Sequence, residues 1–168
     1  KMVDQHAAHE RIVYEQLKKG AANSRMEIQM LLVPQELELT LREKRVALER
    51  AEDLAGIGIE LDHFGGNTFL LRSVPAILSH IRWDVLVPEL IAEMDRSGSG
   101  EGEALDRVLT VMACHGSVRA GKRLSREEMS DLLIRLEETD LPTNCPHGRP
   151  VSRHLTYYEI QKMFKRVV

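Results

Sequence analysis

Aromatic residues are scarce in this chain: three Phe, one Trp and three Tyr among 168 residues, or 4%. That excludes a base-stacking platform for single-stranded nucleic acid, which needs several aromatic faces on one surface. A surplus of positive charge is missing too. Lys plus Arg number 23 against 26 Asp plus Glu, a formal charge of −3. A strongly basic nucleic-acid-binding domain is therefore excluded, and only a local basic face stays open. Cysteine is limited to Cys114 and Cys145. Two are too few for a disulfide framework and are left for packing, metal binding or catalysis. No apolar run approaches the roughly 20 residues of a membrane-spanning helix, so no membrane partner is expected. The opening Lys1-Met2-Val3-Asp4 lacks the pattern of a secretion signal, and a cytoplasmic setting is the expectation.

What is present is ordinary globular composition, 43% hydrophobic and 29% charged. It suits one domain, or one domain with an inserted lobe, around a real core. Lys1 to Val3 reads as a strand end and His6 to Lys19 as a helix with Ile12, Val13 and Leu17 inward. Met26 to Val33 alternates as a strand that Pro34 stops, and Leu37 and Leu39 mark a second short strand. Thr40-Leu41-Arg42-Glu43 is a capping box opening a helix that Gly56 and Gly58 close. Ile57 to Leu61 and Phe69 to Val74 form a hairpin around Gly65-Gly66-Asn67. Asp84 to Met94 is a helix, Ser97 to Gly102 a flexible linker, and Ala104 to Val118 a helix apolar nearly all round, hence buried. Ser125 to Glu128 is a second capping box. Residues 141–151 hold three prolines and read as irregular, and Tyr157 to Phe164 is a last helix. The expectation is an α+β, two-lobed fold in which an inserted lobe, 26–102, interrupts 1–25 and 103–168.

Two clusters carry chemistry. In Asp4-Gln5-His6-Ala7-Ala8-His9-Glu10, His6 and Glu10 are four apart and share a helix face, with Asp4 at the strand end beside them. Two carboxylates and an imidazole suit a divalent metal, while the plain alternative is a helix N-terminus capped by Asp4. In Cys145-Pro146-His147, extended backbone turns thiolate and imidazole to one side, the alternative being a buried free cysteine near a turn. Cys114 reads first as a small hydrophobe on a buried helix. Yet each of the two cysteines has a histidine beside it, and with His6 and Glu10 they make a Cys/Cys/His/His/Glu set. Such a set suffices for one zinc with a bridging carboxylate, or for two metals. Basic residues gather in the same segments: Arg119, Lys122, Arg123 and Arg126, then Arg149, Arg153, Lys162, Lys165 and Arg166. They are either a solvated face or the surroundings of a phosphate-bearing substrate, with Arg149, Arg153 and Arg166 as candidate DNA-phosphate contacts.

Asp4-Gln5-His6-Ala7 with Glu10 and Glu15 resembles the DQHA(X)2E(X)4E motif of the endonuclease-type MutL mismatch-repair family. Ala113-Cys114, Cys145-Pro146-His147-Gly148-Arg149-Pro150 and Phe164-Lys165-Arg166 resemble that family's three further C-terminal motifs, in the same order. The resemblance implies a C-terminal domain in which a dimerisation subdomain (1–25 and 103–168) is interrupted by an external regulatory subdomain (26–102). It implies a latent metal-dependent endonuclease that nicks DNA, with His6, Glu10, Cys114, Cys145 and His147 at the zinc positions. Asp4 and Glu10 would be the catalytic carboxylates, and manganese or magnesium the ion for nicking. Glu15 matches the motif, but helical geometry turns it about 180° from His6. Gln29-Met30-Leu31-Leu32-Val33-Pro34 resembles the family's sliding-clamp docking motif, the alternative being a plain strand ended by proline. The partners implied are a second copy of the chain, weakly and sequence-independently bound DNA, the replicative sliding clamp and other mismatch-repair proteins; no ATP site is expected. His115 stands where the family often has Lys or Arg. A non-catalytic dimerisation module with a structural zinc, or an adaptor that only docks on the clamp, are the other classes open at this point.

Overall fold

The computed structural model describes residues 1–23, 25–96, 101–118, 121–140 and 143–166. In chain order the first elements are β1 (Met2–Val3), α1 (Gln5–Ala22), β2 (Ile28–Glu38), α2 (Leu41–Glu49), α3 (Ala51–Gly56), β3 (Glu60–Gly65) and β4 (Thr68–Pro75). There follow α4 (Trp83–Arg96), α5 (Glu101–Gly116), α6 (Arg126–Glu137), β5 (Ser152–Arg153) and α7 (Tyr157–Met163). The fold is α+β, as expected. It divides into two compact units, Lys1–Ile12 with Val118–Val168, and Val13–Ser117. The expected inserted segment 26–102 lies wholly within the second unit, which also takes in 13–25 and 103–117. Of the expected linker, 97–100 lie outside the described residues, and Glu101 and Gly102 already belong to α5. No described helix is long and apolar enough to cross a membrane.

In the first unit β1 pairs antiparallel with β5, Met2 opposite Arg153 and Val3 opposite Ser152. The Asp4 amide donates to the Val151 carbonyl at 2.9 Å, so the strand hands over to α1 at Asp4. Asp4 then caps that helix, its Oδ1 accepting from the amides of His6 (2.9 Å) and Ala7 (3.1 Å). Ser125 with Glu128 and Thr156 with Glu159 form complete capping boxes at α6 and α7. The core consists of Ala7, Ala8, Ile12, Leu132, Leu136, Cys145 and Val151. Every residue of α7 is exposed.

The second unit holds a three-stranded antiparallel sheet in the order β2-β4-β3. Central strand β4 buries Phe69, Leu71, Ser73 and Val74. Around it pack Val46 and Ala47 of α2, Leu86, Leu90 and Ile91 of α4, and Val108, Leu109 and Met112 of α5. Pro34 does not stop the strand: β2 continues to Glu38. Its register jumps from Met30 opposite Ser73 to Gln35 opposite Leu71, so Leu31 to Pro34 bulge out across from Arg72 alone. Because β2 is an edge strand, a proline in a bulge removes no ladder bond that the sheet needs. Likewise, the helix expected from Thr40 to Ala55 is two helices, broken at Arg50.

Candidate functional site

The first unit gathers its polar groups around Glu10. That carboxylate sits on the inward side of α1 and is 1% exposed. Its two oxygens face different imidazoles: His6 Nε2 lies 3.3 Å from Oε1, and His147 Nδ1 lies 3.5 Å from Oε2. Oε2 nevertheless has no hydrogen-bond partner among the described residues. A buried carboxylate oxygen left in that condition is costly unless a cation meets it.

The protons on His6 sharpen the point. Its Nδ1 lies 2.8 Å from the carbonyl of Val118, an acceptor only, so Nδ1 carries the proton and donates. Nε2, the other ring nitrogen, then faces a carboxylate oxygen. Either a proton or a metal ion can lie between that nitrogen and the carboxylate. A ring held through one nitrogen so that the other is offered is the usual posture of a metal-binding histidine. Val118 is itself held by a second histidine, for its amide donates to His9 Nδ1 at 3.0 Å. His9 thus positions the group that orients His6. The signal for it was available: His9 is three residues after His6, on the same helical side.

His147 arrives through a turn, not the extended segment expected. The Cys145 amide donates to the Arg149 carbonyl at 2.8 Å and the Gly148 amide to the Cys145 carbonyl at 2.9 Å. Gly148 adopts φ 80°, which a side chain resists. Arg11 Nε braces this turn from α1 through the carbonyl of Asn144 at 2.5 Å. The turn sends its two donors different ways. His147 is 40% exposed at the side chain beside Glu10, while Cys145 is buried among Ala7, Ala8 and Leu132, and its sulfur does not join Glu10 and His147 at ligand spacing.

Asp4 combines both readings made of it. One oxygen caps α1, and the other has no partner among the described residues. It lines an open pocket of about 630 Å³ with Gln5, His6, Lys122, Arg123 and Arg149. Arg153, on β5, and Arg166, beyond α7, are exposed but do not line that pocket.

The remaining expected residues belong to the second unit. Cys114 lies near the end of α5 with an exposed thiol. His115 Nε2 is paired with Glu89 Oε2 at 2.8 Å. Glu15 is buried on α1. In the bulge of β2, Gln29 is exposed, Leu31 packs against the core, Leu32 and Val33 are exposed, and Pro34 is half-buried.

Residues 1–124 match the family described as the MutL C terminal dimerisation domain. The chain belongs to that family. It is 40% identical over 168 residues to the DNA mismatch repair protein MutL of Citrifermentans bemidjiense, covering 99% of this chain and 26% of that protein. It is also 40% identical to MutL of Geobacter sulfurreducens over 168 residues, 99% of this chain and 28% of that protein. With MutL of Caulobacter vibrioides the identity is 41% over 167 residues, 98% of this chain and 26% of that protein. The chain thus spans about a quarter of the length of these curated relatives. The MutL resemblance carried by four short motifs therefore extends along the whole of this chain.

Proposed function

We propose that this domain is the metal-dependent DNA-nicking endonuclease and homodimerisation module of a MutL-type mismatch-repair protein. The observation that carries it is Glu10, a buried carboxylate with one oxygen toward His6 and the other toward His147. That disposition suits a bridging ligand. His6, Glu10 and His147 would hold a divalent ion; the motifs name Cys114 and Cys145 as further donors, although Cys145 does not stand at ligand spacing from Glu10 and His147 here. A thiolate among these donors would favour zinc as the ion held there. Manganese or magnesium, which favour oxygen ligands, would use Asp4 and Glu10. An ion held there supplies Lewis acidity, activating water and offsetting charge on a phosphodiester. The chain's own part is to keep Glu10 dry, to fix the His6 ring through Val118, and to hold Asp4 at the mouth of the basic pocket.

Homodimerisation has independent support. Tyr157, Tyr158, Ile160 and Met163 of α7 and the adjacent Phe164 are all exposed, as are Met129, Leu133 and Ile134 of α6. A seven-residue helix with no buried residue is not stable alone. A second copy laid over these side chains would bury them. The exposed bulge Leu31 to Pro34, on an edge strand, supports clamp docking by strand-like insertion of Leu32 and Val33. A cytoplasmic setting with DNA and other mismatch-repair proteins as partners completes the reading. The formal charge of −3 means that activity rises when the clamp tethers the domain to DNA.

The test is nicking of supercoiled plasmid in manganese, with and without sliding clamp, by the full-length protein and its Asp4→Asn variant. Asparagine keeps the helix cap and removes only the charge. Nicking lost with fold and zinc content intact supports the endonuclease. Equal absence of nicking in both proteins, clamp present, favours the dimerisation module with a structural zinc.

A further inference from the structure

The described basic residues divide into those paired with a carboxylate and those that are not. Arg42 and Arg45 are paired with Asp95, Arg72 with Asp62, Arg82 with Asp84, and Arg107 with Glu93. Lys122, Arg123 and Arg149 have no described carboxylate within ion-pair distance, and all three are exposed around one pocket. Lys122 does influence Glu128, but that carboxylate is committed to capping α6 through the Ser125 amide. The segment bearing two of these cations is fixed rather than loose. Leu124 packs on the core of the unit, and Gln5 Nε2 donates to the Lys122 carbonyl at 2.6 Å. Gly121 supplies the sharp turn ahead of it at φ 87°. Three cations therefore face a single carboxylate, Asp4, across a mouth that opens to solvent and abuts His6.

We infer that Lys122, Arg123 and Arg149 form a phosphate-binding lip that seats a backbone phosphodiester of duplex DNA beside Asp4 and His6. This rests on the endonuclease reading above and adds which cations hold the strand. Arg153 and Arg166 lie off the lip, so they act only at long range. Exposed ammonium and guanidinium groups aimed at one opening hold a backbone phosphate without reading sequence, as nicking at arbitrary sites demands. The local surplus of positive charge also reconciles DNA binding with a negative chain, since only the region around the pocket has to attract the duplex.

The experiment measures binding of a short fluorescent duplex to the full-length, zinc-loaded protein by anisotropy, from about 50 to 200 mM salt. The variants are Lys122→Gln with Arg123→Gln together, Arg149→Gln alone, Arg153→Gln, and Arg45→Gln as a control from the ion-paired class. Each lost phosphate contact lowers the slope of log K against log salt by about 0.9. The double variant should lose about twice that, Arg149→Gln about 0.9, and Arg153→Gln and Arg45→Gln close to nothing. The charge-conserving Lys122→Arg should keep the slope of the unaltered protein. Zinc content and dimer formation, read on the same samples, should not change. Slopes equal to the unaltered protein in the double variant and in Arg149→Gln would overturn the lip. The endonuclease reading fails separately: slopes that fall as stated, in a protein that never nicks in manganese, keep the lip and lose the enzyme.

Discussion

Residues 13–117 close around Phe69, Leu71, Leu78, Trp83, Leu90 and Leu109, with a sheet and several helices contributing to one core. Residues 1–12 with 118–166 close around a much smaller set, Ala7, Ala8, Ile12, Leu132, Leu136, Cys145 and Val151, and leave Tyr157, Met163 and Phe164 outside. The first arrangement suffices for a domain. The second does not, because a small unit buries too little apolar surface to offset the entropy of ordering its chain. The thin-cored unit is also the one that carries Asp4, His6, Glu10 and His147. On the proposed reading, an ion among its donors and a second copy over α6 and α7 would add to its stability.

That comparison can be broken most directly by removing metal. Chelation should loosen the first unit more than the second, because four of the five proposed donors (His6, Glu10, Cys145 and His147) lie in the first. Amide exchange would then accelerate in α6, in 143–153 and at the start of α1 while β4 stays protected; equal acceleration in both units would refute the difference. Next in size is Phe69→Ala, which should cost about 3–5 kcal/mol by urea unfolding of the second unit. Zinc content should be unaffected. A third change, Tyr157→Asp with Phe164→Asp, should weaken dimerisation at least about tenfold by sedimentation velocity and leave β2–β4 protection as it was. Gly116→Ala follows at about 1–3 kcal/mol, because a Cβ there would stand 2.2 Å from Cδ2 of the fully buried Leu78.

The smallest effect is in pH. Backbone hydrogen bonds at their caps hold the Glu128 and Glu159 carboxyls below the usual 4.5. Their contribution is present above that value and lost as pH falls beneath it. The second unit shares an acid response through Asp84, which its hydrogen bond with Arg82 holds low. The alkaline arm discriminates. Burial, then a hydrogen bond with Asp106, raises the Tyr14 hydroxyl above its ordinary 10.0, and bonds to Tyr14 and Asp106 raise Lys18. Stability from these groups is full below pH 10 and is lost as pH rises through the raised values, so alkali should loosen the second unit first. Thermal unfolding followed by Trp83 fluorescence, the chain's one tryptophan, reports on that unit.

Much of this was legible in residue order. Capping boxes at Thr40 and Ser125 begin helices because a hydroxyl and a carboxylate three residues apart satisfy each other's orphan amides wherever they occur. Gly65-Gly66-Asn67 turns its hairpin for an equally local reason. Pro34 misled because a proline's effect depends on whether its strand is central or at an edge, which is a property of the sheet. Cys145 and His147 misled in the same way: alternation holds for extended chain, and the glycine at 148 makes a turn instead.

The sequence by itself determined the local elements, the α+β class and the polar residues suited to metal chemistry, since spacing along a helix and the ligand chemistry of side chains need no partner from afar. Only tertiary structure decided that Glu10 is dry and divided between two imidazoles, that Val118 is held by His6 and His9, and that Lys122, Arg123 and Arg149 share a pocket with Asp4. Those facts depend on chain segments more than a hundred residues apart meeting within a few ångströms, and burial and electrostatic pairing are set by such meetings rather than by neighbours in sequence.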